Sequence, residues 1–420
     1  MQHAYIRWRA SHPLVFIATF LLIGILIAQK SISCSSSISN TIAITIFIFS
    51  IGILFLLSLI KKTNIISSIC IYIALIGWGI AIQLASQKHS LFTISYPNQI
   101  IISCRNWVIE KINKTIFTKE ANGFAMAILL GVKMDMDQSI VNAYTQLGII
   151  HIIAISGMHL EILFKNLKRI TIFLPRKQLY LFVELIALLI GVWTYTLMAF
   201  ASPSIVRASI FFSIYTIGKF MGATSFMLNT IAGGILILLL FDMQSLSHIG
   251  LQLSYAAVIG IHLFYKLFYK SLNINNPIVQ FLWSNCCMSL SAQLTTFPIL
   301  ALHFHQIAGW VLVSNFIMVP LSNLILYGLG ILLILPIQFS LTVFWGNLVE
   351  QYILFFNHFV NNWFLKTSAE TIHISMNSIQ ICLYYLILLF VYLWLYLKQT
   401  QWLLPILGLF SLYFIQKLFS

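Results

Sequence analysis

The sequence predicts an all-α membrane protein: a polytopic helix bundle, with broken helices arranged around a central polar path. Three observations predict it. Sixty per cent of the 420 residues are hydrophobic and 8% are charged, with a mean hydropathy of +0.96. Soluble domains carry about 25% charged residues, so an ordinary cytosolic enzyme and a disordered chain are both excluded. The apolar runs are long and continuous, which suits helices spanning hydrocarbon and does not suit a β-barrel, whose strands alternate. Finally, the polar side chains inside those runs cluster at a few places, where unpaired groups in lipid would be costly.

Taken in order, three spans come first, near 14–28, 41–60 and 65–86. Arg7 and Arg9 precede the first, and Lys61 and Lys62 separate the second from the third. The basic start and first apolar run resemble a signal peptide, but more spans follow, so an uncleaved span is expected. The positive-inside rule puts the N-terminus in the cytoplasm and the segment 87–148 outside. Residues 98–118 interleave Arg105, Lys111 and Lys114 with Ile101, Trp107, Val108, Ile112 and Phe117 at helical spacing. They predict an amphipathic helix in the membrane interface with a basic surface. Two short helices follow over 120–131 and 137–147, separated by Gly131 and the acidic turn Met134–Asp137.

Residues 149–164 are apolar but interrupted by four polar side chains, and a basic loop follows with Lys165, Lys168, Arg169, Arg176 and Lys177. Later spans are expected near 179–200, 204–221, 226–241, 250–265, 278–300, 308–333, 379–397 and 402–418, with 340–364 as an interfacial helix. The total is about ten to twelve crossings. The chain thus divides into N-terminal spans (1–96), an interfacial segment (97–148), a core (149–335) and C-terminal spans (336–420).

The first polar cluster is His151, Ser156, Gly157, His159 and Glu161. Ser156-Gly157 predicts a helix break, and a helix broken at membrane depth turns its end dipoles toward a cavity. Ser202-Pro203-Ser204 follows, with Arg207 either snorkelling or facing a polar path. Gln252 and Ser254 stand at a span entrance. Ser284, Ser291 and Thr295 form a stripe with Gln293 beside it, and Asn315 and Ser322 share a face of the next span. Two readings cover these residues: helices turned toward a common hydrated path, or a bundle joined by scattered hydrogen bonds. The number of polar groups around 151–161 favours the path.

The order of motifs resembles the ComEC competence-protein family. His151-Ile-Ile-Ala-Ile-Ser-Gly-Met-His159 looks like its signature. In the family's order come Pro203-Ser-Ile-Val-Arg-Ala208, Gly250-Leu-Gln-Leu-Ser-Tyr-Ala-Ala-Val-Ile-Gly260, Ala292-Gln-Leu-Thr-Thr-Phe-Pro298 and Asn315-Phe-Ile-Met-Val-Pro320. The resemblance implies a channel in the bacterial inner membrane that admits single-stranded DNA during natural transformation. Two departures accompany it. Only Gln87 to Tyr96 stand where members carry an OB-type domain, and no metallo-β-lactamase-like motif is present, since His303-Phe-His305 is followed by Gln306.

A strand crossing about 30 Å of hydrocarbon places on the order of five to nine phosphates in the membrane. It needs a polar lining that binds weakly enough to release. The expected lining is His151, Ser156, Gly157, His159, Gln252, Ser254, Gln293, Thr295 and Asn315, with Arg207 touching phosphate near one mouth. Arg105, Lys111 and Lys114 would meet lipid or gather DNA. The chain is expected to act without enzymatic chemistry, metal or cofactor. Its expected partners are single-stranded DNA, membrane lipids, a separate nuclease or DNA receptor and a cytoplasmic motor or helicase, and a homo-oligomer is compatible with it. Two alternatives are a small-solute transporter and an intramembrane serine protease. For the latter, Ala154-Ile-Ser-Gly157 resembles the rhomboid Gly-x-Ser-Gly, with His151, His159 or His262 as base.

Overall fold

The computed structural model describes residues 12–31, 71–80, 99–132, 138–171, 178–222, 227–241, 246, 248–336, 338–364 and 371–418. The expected span at 41–60, both N-terminal basic pairs, the acidic turn and Arg176–Lys177 lie outside them. The chain is a multi-pass membrane protein of all-α class. Among the described residues, five helices are long and apolar enough to cross a membrane: Leu179–Met198, Ile249–Tyr269, Pro277–His303, Val311–Ile334 and Ser378–Leu397. The only sheet among them is a short antiparallel pair, β1 (Gln306–Ala308) and β2 (Thr371–His373), with Gln306 opposite His373.

The chain groups into two units. The first comprises Met1–Tyr96, Leu181–Leu185 and Ile210–Ser247. Within it, α1 (Pro13–Ser31) crosses α2 (Ile71–Ile80) at Gly24 and Gly79. A methyl group on either glycine would overlap backbone of the other helix, so only glycine permits this approach. Tyr72 stacks on Phe20 at 4.1 Å between ring centroids.

The second unit comprises Pro97–Tyr180, Ile186–Ser209 and His248–Ser420. It is built on α3 (Gln99–Thr115), α4 (Lys119–Leu130) and α5 (Gln138–Gln146). The short α6 (Ile150–Ile153) and α7 (Gly157–Thr171) come next. Then follow α8 (Gln178–Met198), α9 (Pro203–Phe220), α10 (Met227–Phe241), α11 (Ile249–Tyr269) and α12 (Pro277–His303). After β1 come α13 (Val311–Ile334) and α14 (Ser340–Phe359), which runs on into a π-helical turn, Val360–Phe364. The chain ends in α15 (Ser378–Leu397) and α16 (Leu403–Leu418). Of these, α10, the later part of α9 and Leu181–Leu185 of α8 belong to the first unit.

The core of the second unit forms around α4. From Gly123 onward its sequence is apolar on all sides, and a helix of that kind is buried; Ala121 and Gly123–Leu130 are enclosed. Phe124, Tyr144 and Phe356 meet with ring centroids 6.0–6.2 Å apart. Gly131 takes φ +72° and closes α4 as a left-handed cap, its amide bonding the Ala127 carbonyl.

The structure adds detail to one sequence expectation and changes another. Residues 340–359 form α14, which packs one face into this core, with Val349, Ile353 and Phe356 buried. Its polar residues have specific partners. Glu350 accepts from the amides of Phe117 (3.0 Å) and Thr118 (2.9 Å), which start α4. Asn357 donates to Glu120 (2.9 Å) and accepts from Tyr144 (2.8 Å). The change is in α3. Arg105 and Lys111 are not on its surface, with exposures of 8% and 1%. The Arg105 guanidinium donates to the carbonyls of Leu130 and Met198, at the ends of α4 and α8, and lies 3.9 Å over the Phe200 ring. The Lys111 ammonium donates to Leu333 (2.6 Å) and Leu335 (2.5 Å), at the end of α13. The last carbonyls of a helix lack partners and carry partial negative charge, so these cations turn inward to fill three C-termini. Lys114 remains exposed, in a 2.6 Å ion pair with Glu110.

Candidate functional site

The chain between α6 and α7 is broken, as Ser156-Gly157 predicts, and the break has a local cause. Ala154 is extended. The Ser156 amide donates to Nδ1 of His159 at 3.0 Å, and the Ser156 hydroxyl lies 2.9 Å from the same nitrogen. The third residue of α7 therefore reaches back to the residue before its start, as the Glu of a capping box does. The Ser156 carbonyl in turn accepts from the His159 amide (3.1 Å). Beyond the break, Lys165, Lys168 and Arg169 continue α7 rather than forming a loop.

Gly157 sets α7 against α9. A Cβ at this position would lie 3.3 Å from the Ala208 methyl, leaving little room for a side chain. The neighbouring Arg207 donates through Nη2 to the Gly250 carbonyl at 3.1 Å, in the first turn of α11. Tyr255 is close enough to act on Arg207 electrostatically. Ser202 caps α9 through its carbonyl, which accepts from Ile205 and Val206, and Pro203 follows it. The starts of α7 and α11 thus both lie against the early turns of α9.

On the other side of the break, Ser314 of α13 donates to the Leu147 carbonyl (2.8 Å). Gly148 takes φ +70° and faces Val311 too closely for a side chain. The turn before α6 is therefore seated on the start of α13, and Asn315 stands one residue from that joint with 6% exposure. His151 lies on α6, just before the break.

The structure thus gathers His151, Ser156, Gly157, His159 and Arg207 around the break, with Asn315 beside the α13 joint. Gln252, Ser254 and Gln293 are half-buried on α11 and α12. Thr295 has a different position: its hydroxyl donates to the Ala256 carbonyl (2.7 Å), joining α11 to α12. Five buried side-chain atoms on α7, α9 and α13 have no hydrogen-bond partner: His159 Nε2, Ser202 Oγ, Arg207 Nε, Asn315 Oδ1 and Asn323 Oδ1. Native interiors rarely leave such atoms unsatisfied, and each one calls for an explanation. Ser202 and Asn323 were visible in the sequence as polar residues in apolar surroundings, but nothing there marked them as unbonded.

Residues 128–399 match the family described as Competence protein, a stretch running from the end of α4 to just beyond α15. The chain belongs to the competence protein family. It is 30% identical over 222 residues to ComE operon protein 3 of Bacillus subtilis (strain 168), an alignment covering 52% of this chain and 27% of that relative. The chain therefore matches about a quarter of the curated relative's length. No solved structure matches it. The competence-family match includes the α6–α7 break, the Arg207 helix and the α13 joint.

Proposed function

We propose that this competence-family chain is the membrane channel of a DNA-uptake system, passing single-stranded DNA into the cytoplasm. It would sit in the cytoplasmic membrane of a bacterium with its N-terminus inside. It would act without chemistry of its own, drawing on a separate nuclease or DNA receptor and on a cytoplasmic motor. The observation that carries this reading is the α6–α7 break, flanked by buried polar atoms that have no partner within the protein. Groups of that kind in a membrane helix bundle suit a polar route and not a dry interior.

The test is protection of imported DNA in a strain deleted for this gene and complemented with variants. Restoration by the intact chain supports the proposal, and wild-type protection in the deletion strain overturns it. Because the lining is distributed, Ser156→Ala should keep at least about a third of the uptake, the loss of one neutral hydrogen bond being a modest effect.

One observation favours a second reading. The 2.9 Å approach of Ser156 Oγ to His159 Nδ1 is within the reach of a nucleophile and its base. An intramembrane serine protease would label at Ser156 with a fluorophosphonate and lose all cleavage in Ser156→Ala, while DNA uptake stayed intact.

A further inference from the structure

We infer that the end of the α11–α12–α15 group is a stacking platform for the bases of single-stranded DNA as it enters the cytoplasm. The inference rests on the channel reading and names where on this chain the emerging strand is held.

Three helix ends meet there. Tyr265 and Tyr269, one turn apart on α11, stack with ring centroids 5.5 Å apart and planes 22° apart. The Tyr265 hydroxyl bonds the Ser284 hydroxyl of α12 (2.9 Å), and the Tyr269 hydroxyl accepts from Gln280 (2.6 Å). The Trp283 indole donates to the Tyr269 carbonyl (3.3 Å). From α15, Tyr392 meets Phe264 edge to face at 5.9 Å and stacks on Tyr396 at 5.6 Å and 17°. Tyr396 is the outer ring, 64% exposed.

Positive charge collects at the same end. Lys266, Lys270 and Lys398 are exposed, and none of them pairs with a carboxylate among the described residues. No Asp or Glu occurs over 249–303 or 371–418. The described residues flanking the opposite ends of these helices, 246, 248, 304–310 and 371–377, contain no Lys or Arg. The positive-inside rule therefore puts the lysine-bearing end in the cytoplasm. Two of the three helices, α11 and α12, also carry Gln252 and Gln293 of the expected lining.

A surface that is both cationic and aromatic fits either an anionic lipid layer or a single strand. The bonding of the rings favours the strand. In an interfacial belt, Tyr and Trp turn their polar tips to headgroups and water. Here the hydroxyls of Tyr265 and Tyr269 and the indole N–H of Trp283 are taken up by α11 and α12. What a ring held in this way still offers is its face. Stacked rings beside lysines suit the alternation of base and phosphate along a strand. Stacking reads no base edge, so the platform accepts any sequence.

The test uses the full-length protein in phosphatidylcholine nanodiscs, which leave both faces open, and two fluorescent strands of equal length and charge. One is oligothymidylate, and the other is an abasic sugar–phosphate chain. The wild-type protein should bind oligothymidylate at least about fivefold more tightly, the worth of one stacked base. Tyr396→Leu keeps apolar area without an aromatic face and should lose most of that preference, whereas Tyr396→Trp should keep it. Lys266→Gln combined with Lys270→Gln should weaken both strands alike. It should also lower the slope of log affinity against log salt by about 1.4, as the loss of two phosphate contacts would.

Equal binding of the two strands by the wild-type protein overturns the inference. So does an undiminished preference in Tyr396→Leu; a loss of thermal stability confined to phosphatidylglycerol discs would then assign the rings to lipid. Protection of imported DNA in complemented cells separates this inference from the channel reading. Protection by the intact chain alongside either of those results removes the platform alone, and failure of the intact chain to protect DNA removes both.

Discussion

At the scale of single residues, the second unit is governed by side chains that satisfy the ends of helices. Lys111 does this with two short bonds to α13. Lys111→Met keeps the apolar stem but strands the Leu333 and Leu335 carbonyls. The cost should be about 2–3 kcal/mol, read as a lower unfolding temperature in detergent. Glu350 does the same at the start of α4. Burial pushes its carboxyl up, but the Phe117 amide and the amide and hydroxyl of Thr118 outweigh that and hold it below the ordinary value. A lowered folded-state pKa contributes stability that is complete above the unfolded pKa and is lost as pH falls through the folded one. Acidifying below the usual carboxylate range should therefore destabilise the wild-type protein more steeply than Glu350→Gln, in thermal melts taken across pH. None of this was legible in the sequence. The positions 105, 108, 111, 112 and 115 share one face of α3, so its cations and apolar residues point the same way. Which way they point depends on acceptors as far off as Leu333, 222 residues along the chain.

At the scale of elements, the helices from 178 onward were legible because long apolar runs leave few alternatives; α8 to α13, α15 and α16 fall on the expected runs within a few residues, and five of them are long and apolar enough to cross a membrane. What periodicity did not disclose is how they are joined. Pro298 lies inside α12 and has no N–H, so the Leu294 carbonyl loses its helical partner. Tyr384 of α15 donates its hydroxyl to that carbonyl (3.0 Å), and Tyr385 donates to Thr295 (2.8 Å). Replacing both tyrosines with Phe should cost about 1–3 kcal/mol and speed amide exchange in α12 around the proline, measured by mass spectrometry. A more severe change is Gly260→Ala. Its methyl group would overlap Thr295 and the Ser291 carbonyl where α11 meets α12. Overpacking of this kind costs about 1–3 kcal/mol, and the folded yield in membranes should drop. The core contacts of 340–364 were hidden for the same reason. Glu350, Asn357 and the aromatics looked interfacial because their partners, at 117–120 and 144, lie more than two hundred residues away.

At the scale of the whole molecule, the sequence offered two accounts of its polar residues, and the structure contains instances of both. Thr295 is a joint between helices, and Thr196 bonds Ser209 in the same manner (2.5 Å). The group around Ser156 differs, because His159 Nε2, Ser202 Oγ and Arg207 Nε are buried there without a geometric hydrogen-bond partner. Motif order made that group legible, while its bonding emerged only from the fold, since no spacing rule shows that the His159 ring turns back to Ser156. The capping by Arg105 and Lys111 has one further consequence, for behaviour in salt. Their counterparts are carbonyl oxygens in the interior, beyond the reach of mobile ions, whereas Lys114 and Glu110 stand in solvent. Raising the ionic strength screens exposed charge pairs far more than enclosed ones. This strongly cationic protein should therefore keep its melting temperature nearly constant in brine, even as salt strips anionic lipid from its rim.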